Sequence, residues 1–341
     1  MADRISVAAA HAAPVPMDAA ASIDKACALI AEAGVQGIRY LVFPEVFVPG
    51  FPYWINCYAP LTQTGLVRRY QDASIEADGP EMGRIQEAAR AAKTVVALGF
   101  SERQRGGRTC YNSIAFIDAD GTLLGVHRKL QPTYAERYVW GQGDGATLDV
   151  WDSAAGRVGG LACWEHTMNL ARQALIAQGI QLHAACWPAL STLKGFESVF
   201  DLQVEAMMRT HALTGACFVI AAESPVTQAD IDLMHEALGP QELITAGGGW
   251  SGIIHPWGAD VVPPHTGPQE TLVAAEIDLD DIKDVKVMVD GAGHYARSDI
   301  LRLVLDRQPK RPLNTPASGP LEPHHPFGAE ARSGSLNEAA E

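Results

Sequence analysis

Three residues of this sequence combine a reactive side chain with the same local setting, because each follows an apolar run typical of a strand. Glu45 follows Leu-Val-Phe-Pro, Lys129 follows Gly-Val-His-Arg, and Cys163 follows Gly-Gly-Leu-Ala. A cysteine thiol needs a base or a neighbouring positive charge before it acts as a nucleophile at neutral pH. Glu45 and Lys129 can supply these two needs, so the trio predicts a hydrolase that forms a covalent bond to Cys163.

This chemistry requires a buried site. The reference pKa values of a carboxylate and a thiol differ by about four units, so an exposed glutamate is a poor base for a cysteine. Burial raises the pKa of a carboxylate such as Glu45, and the ammonium of Lys129 favours both anions, which makes proton transfer feasible in a dry site. The backbone N–H of Trp164, at the start of a predicted helical turn, is a second donor to the charge that develops on the attacked atom. Glu165 is interpreted as structural.

The elements that must position these residues alternate between strand and helix patterns as far as about residue 290, which predicts one α/β or layered α+β domain. Ligands of such sheets bind outside the carboxyl ends of strands, so the three residues are expected to share one cleft. Residues 118–121 are expected to form the tight turn of a hairpin. Helices are predicted at residues 18–33, 81–93, 168–177 and 196–213, and strands at residues 5–13, 41–43, 94–100, 112–117, 122–126, 158–162, 217–221, 251–254 and 271–277.

Over about residues 5–300 the sequence resembles the nitrilase superfamily of carbon–nitrogen hydrolases, and more narrowly its nitrilase branch. The resemblance is carried by residues 42–52 around the glutamate, by residues 127–133, 136–137 and 140–145 around the lysine, and by Cys-Trp-Glu-His at residues 163–166. Three long motifs in the same order and spacing are much more specific than any one of them. The resemblance implies a four-layer α-β-β-α sandwich with Glu45, Lys129 and Cys163 at the centre. It also implies a second glutamate, which Glu136 matches, positioned to hold Lys129 or the attacking water.

Aromatic residues near the motifs are candidates for the substrate pocket. Tyr53, Trp54 and Trp187 are interpreted as substrate-binding residues, although an aromatic residue is a core residue at least as often. The sequence departs from the family pattern at residues 167–170 and at Cys186. Both segments are expected to line or support the pocket, so these departures bear on the substrate and not on the chemistry.

Composition argues against several other classes of protein. The 341 residues include 40 acidic and 26 basic ones, giving a formal charge of −14, and no basic patch, which argues against nucleic acid and anionic membranes as partners. No apolar run reaches the ~18 residues of a membrane span. The six cysteines are dispersed without the spacing of a zinc site or a disulfide framework, so we expect no metal and a reducing cytoplasm. The glycines of residues 141–145 do not follow a strand, which argues against a dinucleotide loop.

For the whole chain we predict a nitrilase domain at residues 1–307 and a Pro- and Gly-rich tail at residues 308–341. The enzyme is expected to hydrolyse an organic nitrile, whether aliphatic, aromatic or arylacetonitrile, to a carboxylic acid and ammonia through a thioimidate on Cys163, without a cofactor. Two alternatives remain open: an amidase or cyanide-hydrolysing relative with the same centre, and a catalytically silent, filament-forming scaffold. The resemblance also implies a homo-oligomer of stacked dimers, often an open spiral.

Overall fold

The computed structural model describes residues 4–310, which form two six-stranded sheets flanked by helices. The strands are β1 Arg4–His11, β2 Tyr40–Val42, β3 Val95–Arg103, β4 Cys110–Ile117, β5 Leu123–Arg128, β6 Trp151–Ser153, β7 Gly156–Ala162, β8 Leu182–Pro188, β9 Phe218–Ser224, β10 Trp250–Ile254, β11 His265–Thr266 and β12 Thr271–Asp278. The helices are α1 Ala19–Val35, α2 Thr64–Ala73, α3 Pro80–Ala92, α4 Asn169–Ala177, α5 Phe200–Gly215, α6 Gln228–Leu238 and α7 Asp281–Met288. Short 3-10 helices lie at Tyr53–Asn56, Pro60–Gln63, Tyr134–Tyr138, Gly145–Thr147 and Cys163–Thr167.

Each sheet has three parallel strands near its centre. The first sheet is ordered β12-β1-β2-β3-β4-β5, with β1, β2 and β3 parallel. The second is ordered β11-β10-β9-β8-β7-β6, with β7, β8 and β9 parallel. Parallel neighbours need crossover connections, and these contain α1, α2 and α3 in the first sheet and α4 and α5 in the second. The carboxyl ends of the parallel strands are the expected place for a site.

The two sheets pack face to face through alternating apolar side chains. Val7, Tyr40 and Val95 of the first sheet share one buried cluster with Leu182 and Phe218 of the second. The opposite face of the first sheet packs against α1 and α3, and the opposite face of the second packs against α4 and α5. Both faces of the central strands are therefore buried, which explains their continuous apolar sequence. This is the four-layer α-β-β-α sandwich that was predicted.

Local hydrogen bonds explain two of the predicted elements. The helix predicted at residues 18–33 forms as α1, where the Asp18 carboxylate accepts the Ala21 N–H at 2.9 Å and caps the first turn. In the predicted hairpin turn, the Gly121 N–H donates to the Asp118 carbonyl oxygen at 2.9 Å, and Gly121 has a φ of 87°. Glycine tolerates this left-handed conformation without a steric cost.

The helix predicted at residues 196–213 is wrong at its start, because α5 begins at Phe200. Two successive turns precede it, in which the Phe196 N–H donates to Leu193 O and the Val199 N–H donates to Phe196 O. Phe196 packs against the same apolar cluster as α5. The apolar spacing thus continues from the turns into the helix, and it does not mark the boundary between them.

Two predictions concern the chain as a whole. The predicted tail at residues 308–341 lies outside the described residues from residue 311 onward, so the domain boundary at residue 307 stays a prediction. Among residues 4–310, none of the helices combines the length and the apolar character needed to cross a bilayer.

Candidate active site

Four buried side chains from the two sheets meet where their strands end. Glu45 lies three residues beyond β2, and Lys129 lies directly beyond β5 of the same sheet. Cys163 lies directly beyond β7 of the second sheet, and Glu136 lies in the 3-10 helix Tyr134–Tyr138. One carboxylate oxygen of each glutamate and the Cys163 Sγ are within 4.8 Å of one another. The structure thus brings the four predicted residues together at the interface of the sheets.

Lys129 lies between the two carboxylates. Its Nζ donates to Glu45 Oε1 at 2.7 Å and to Glu136 Oε2 at 2.8 Å, and its side chain is fully buried. Burial acts to lower the pKa of Lys129, but the charges of Glu136 and Glu45 outweigh burial and raise this pKa above its usual value. The lysine is therefore a fixed ammonium ion within the site.

Glu45 has one engaged oxygen and one without a hydrogen-bond partner. Its Oε1 accepts hydrogen bonds from Lys129 Nζ and from Asn112 Nδ2, both at 2.7 Å, whereas its Oε2 has no partner among the described residues. Burial raises the pKa of Glu45 to about 7; Glu136 adds to this shift, and Lys129 and Asn112 oppose it. A carboxylate with this pKa and an unused oxygen is suited to accept a proton near neutral pH.

A close backbone contact positions the turn that carries Glu45. A Cβ atom at Gly99 of β3 would collide with the Pro44 carbonyl oxygen and lie 2.6 Å from the Val46 nitrogen. Only glycine lets β3 pass so near this turn. The Glu45 N–H also faces the Trp187 carbonyl oxygen of β8 at 3.4 Å, so the turn contacts both sheets.

Cys163 occupies the junction between β7 and a 3-10 helix. Its φ is 52°, a left-handed conformation that is uncommon for a residue with a side chain. Burial raises the pKa of the Cys163 thiol well above its usual value, and the charge of Glu45 adds to this effect. The Lys129 ammonium and the Trp164 N–H act in the opposite direction but do not outweigh burial. The resting side chain is therefore a thiol.

A family model described as carbon-nitrogen hydrolase matches residues 6–287, which include all four clustered residues. The chain belongs to the carbon–nitrogen hydrolase family. An aliphatic nitrilase from Rhodococcus rhodochrous is 38% identical over 317 residues, which cover 92% of this chain and 85% of that protein. An arylacetonitrilase from Aspergillus niger is 37% identical over 315 residues, covering 91% and 94%. The chain is thus a hydrolase acting on carbon–nitrogen bonds, and its relatives place it in the nitrilase branch.

A solved structure agrees with this assignment at the level of the fold. The carbon-nitrogen hydrolase from Helicobacter pylori G27 superimposes with a TM-score of 0.66 at 18% identity, covering 84% of this chain and 93% of that one. At this identity, the likeness concerns the architecture alone.

The aromatic residues predicted to bind substrate have different surroundings in this carbon–nitrogen hydrolase. Tyr53 and Trp54 line a cavity together with Phe51 and Tyr70, and the described lining of that cavity includes none of the four clustered residues. Trp187 is fully buried, with its ring stacked on His166 at a centroid distance of 5.1 Å. Its backbone, rather than its ring, contacts Glu45. The substrate-binding role of these three residues stays a prediction.

The clustered residues of this hydrolase also resemble a set of metal ligands. Glu45, Glu136 and Cys163 are the one group of possible ligand atoms that converges within the described part of the chain. The Lys129 ammonium, however, already lies between the two carboxylates, where a metal cation would otherwise balance their charge. The expectation that no metal is needed stays a prediction.

Two residues of the site were not identified by sequence reasoning. Asn112 of β4 donates to Glu45, and His127 of β5 contacts Glu165. The one available signal was the alternation of strand residues, which places His127 on the same side of the chain as Lys129 two residues later. Asn112 had no comparable signal.

Proposed function

We propose that this protein is a nitrilase, which converts an organic nitrile and two water molecules into a carboxylic acid and ammonia. The observation that carries the proposal is the buried cluster in which Glu45 and Glu136 flank Lys129 and approach Cys163 within 4.8 Å. Relatives named as an aliphatic nitrilase and an arylacetonitrilase support the nitrile as substrate. Because the two relatives differ in substrate class, the side chain of the nitrile is left to experiment.

The first half of the reaction forms a covalent thioimidate. The Cys163 proton passes to Glu45 Oε2 while the sulfur attacks the nitrile carbon. The nitrile nitrogen then takes this proton from Glu45, which leaves a C=NH group bonded to the sulfur. The Lys129 ammonium and the Trp164 N–H stabilise the negative charge that develops during the attack.

The second half consumes both water molecules. Glu45, assisted by Glu136, takes a proton from the first water as its oxygen adds to the thioimidate carbon, and returns the proton to the nitrogen, so that ammonia leaves. A second water then hydrolyses the thioester in the same way, and the sulfur leaves with a proton as the thiol of Cys163. If the first adduct expels sulfur instead of ammonia, the product is an amide, so the amide fraction reports the geometry of the adduct.

The test is a panel of aliphatic, aromatic and arylacetonitrile substrates, with the corresponding amides and cyanide alongside. We expect ammonia and carboxylic acid from at least one nitrile class, and no turnover by the Cys163→Ala variant. Turnover of amides or cyanide alone would favour the amidase or cyanide-hydrolysing alternative. Absence of ammonia from every compound, with an unchanged cellular role for Cys163→Ala, would favour the silent scaffold.

We further propose a homo-oligomer built from dimers and extended into a spiral. Several apolar side chains near the end of the described chain are largely exposed, and a second copy of the protein would cover them. These residues are Val287, Met288, Ile300, Leu301 and Val304, which are 64–88% exposed.

A cytoplasmic location is proposed on the state of the cysteines. All six, including the buried Cys110 and Cys217, are free thiols. Thiols persist in a reducing compartment. Cell fractionation with an antibody to the chain would test this location.

A further inference from the structure

One buried carboxylate ties the lysine segment to the cysteine turn. Glu165 Oε1 accepts the Leu130 N–H at 2.8 Å, and Glu165 Oε2 accepts the Ala162 N–H at 3.0 Å. Leu130 directly follows Lys129, and Ala162 directly precedes Cys163. Glu165 therefore bridges the neighbours of two clustered residues that belong to different sheets.

His127 completes this bridge, and its hydrogen bonds define its charge. Its Nε2 lies 3.1 Å from both oxygens of Glu165, and its Nδ1 lies 3.1 Å from the Thr147 carbonyl oxygen. An ionised carboxylate and a carbonyl oxygen accept hydrogen bonds but donate none, so both ring nitrogens must carry a hydrogen. Glu165 stays ionised because each of its oxygens also accepts a backbone N–H. His127 is therefore a buried imidazolium cation.

The local electrostatics agree with this assignment. Burial acts to lower the pKa of His127, but the charge of Glu165 and its hydrogen bond outweigh burial, and the pKa is raised. Burial acts to raise the pKa of Glu165, but His127 and the two backbone donors outweigh burial, and the pKa is lowered. Each partner thus favours the charged form of the other.

The other ionisable groups around the pair are either neutral or paired elsewhere. Burial lowers the pKa of His166 to about 4 and holds the pKa of His183 well below its usual value, so both rings are neutral near pH 7. Burial raises the pKa of Cys186, which stays a thiol. Arg128, next to His127 in β5, pairs with Glu102. No further charge is needed to account for the state of His127.

We propose that the His127–Glu165 ion pair is a positioning device that holds the Lys129 ammonium in register with the Cys163 sulfur. Its contacts at His127 and at Leu130 flank Lys129, so they fix the lysine backbone from both sides. A displacement of ~1 Å at such a site lowers turnover by about 100-fold. The proposal rests on the proposed function of the cluster, in which the two residues act on one substrate.

Glu165→Gln and His127→Gln test the positioning role. Glutamine keeps the size of the glutamate, but it removes the charge and leaves one oxygen for three donors. We expect kcat to fall by about 30- to 100-fold, with KM within about threefold, because the substrate pocket is not altered. Glu102→Gln is the matched control, since it breaks another ion pair of β5 whose partner Arg128 stacks on the Tyr111 ring. The control is expected to keep kcat within about threefold.

Two further measurements need no nitrile and therefore separate this proposal from the proposed function. In ¹⁵N spectra at pH 7, both ring nitrogens of His127, assigned by their loss in His127→Gln, are expected to be protonated. Alkylation of Cys163 by iodoacetamide, followed by intact mass, is expected to slow about tenfold in Glu165→Gln as Lys129 shifts, and to be unchanged in Glu102→Gln.

A neutral His127 ring at pH 7 would overturn the proposal, as would a folded Glu165→Gln variant with unchanged kcat and unchanged alkylation. Should Glu165→Gln not fold, His127→Gln and the spectra of the unaltered protein decide. If every nitrile is inert, the proposed function fails, while the spectra and the alkylation rates still decide the positioning role.

Discussion

Burial sets the protonation state of each side chain in the cluster. It raises the pKa of Glu45 to about 7, which leaves this base partly ionised near neutrality. It also raises the pKa of Cys163, so the thiolate does not form in the resting enzyme. The proton must therefore leave sulfur during the attack on the substrate, when the developing charge is transferred toward Lys129. This differs from the expectation of a preformed thiolate in many cysteine enzymes.

The pH dependence of kcat/KM should reveal Glu45. Because only the ionised carboxylate accepts the Cys163 proton, we expect kcat/KM to rise as pH increases through about 7. The Asn112 hydrogen bond lowers the pKa of Glu45, so Asn112→Ala should move this midpoint to higher pH. Initial rates between pH 5 and pH 9, with ammonia as the readout, would measure the shift.

Asn169→Ala, at an exposed position of α4, is the control for this experiment. It should leave the midpoint unchanged. An Asn112→Ala midpoint equal to that of the unaltered enzyme would mean that Glu45 is not the group that limits activity at low pH.

Among the elements, the passage of β3 beneath the Glu45 turn is the most demanding contact. Gly99→Ala should push this turn away from β3, because the added methyl group would collide with the Pro44 carbonyl oxygen. We expect kcat/KM to fall by about 100-fold and the free energy of unfolding to fall by about 1–3 kcal/mol. Denaturant unfolding and initial rates measure the two effects.

Gly83→Ala is the matched substitution. Gly83 lies within α3 and has open space around its Cα, so a methyl group there should stabilise the helix by up to about 1 kcal/mol and leave the rate unchanged. If both variants kept the rate of the unaltered enzyme, the contact at Gly99 would not position Glu45.

The elements also show what the sequence could and could not predict. Glu45, Lys129 and Cys163 were predictable because each follows its own strand directly or nearly so, a local feature. The hydrogen bonds of Asn112 and His127 depend on which strands become neighbours, and no local pattern specifies this. Strand β8 was not predicted because its alanines, together with His183, lack the β-branched signature of strands. Helix α2 was not predicted because it buries only Leu66 and Tyr70.

At the scale of the whole molecule, the C-terminal segment is expected to control assembly. Residues from about 308 onward are rich in proline and glycine and cannot bury a core of their own, so a neighbouring subunit must provide their contacts. A chain shortened after residue 308 should form a smaller particle. Light scattering measures its mass, and an unchanged particle would show that the segment has no part in assembly.

The division of the site between two sheets makes catalysis a report on whether the sheets have closed on each other. Chain fragments separated after Ala154, in the β6–β7 turn, would carry the carboxylates and the ammonium in one piece and the thiol in the other. Neither fragment should release ammonia alone, and mixing them should restore release as they associate. The enzyme would then serve as a fragment-complementation reporter, and ammonia from the cysteine fragment alone would contradict the shared site.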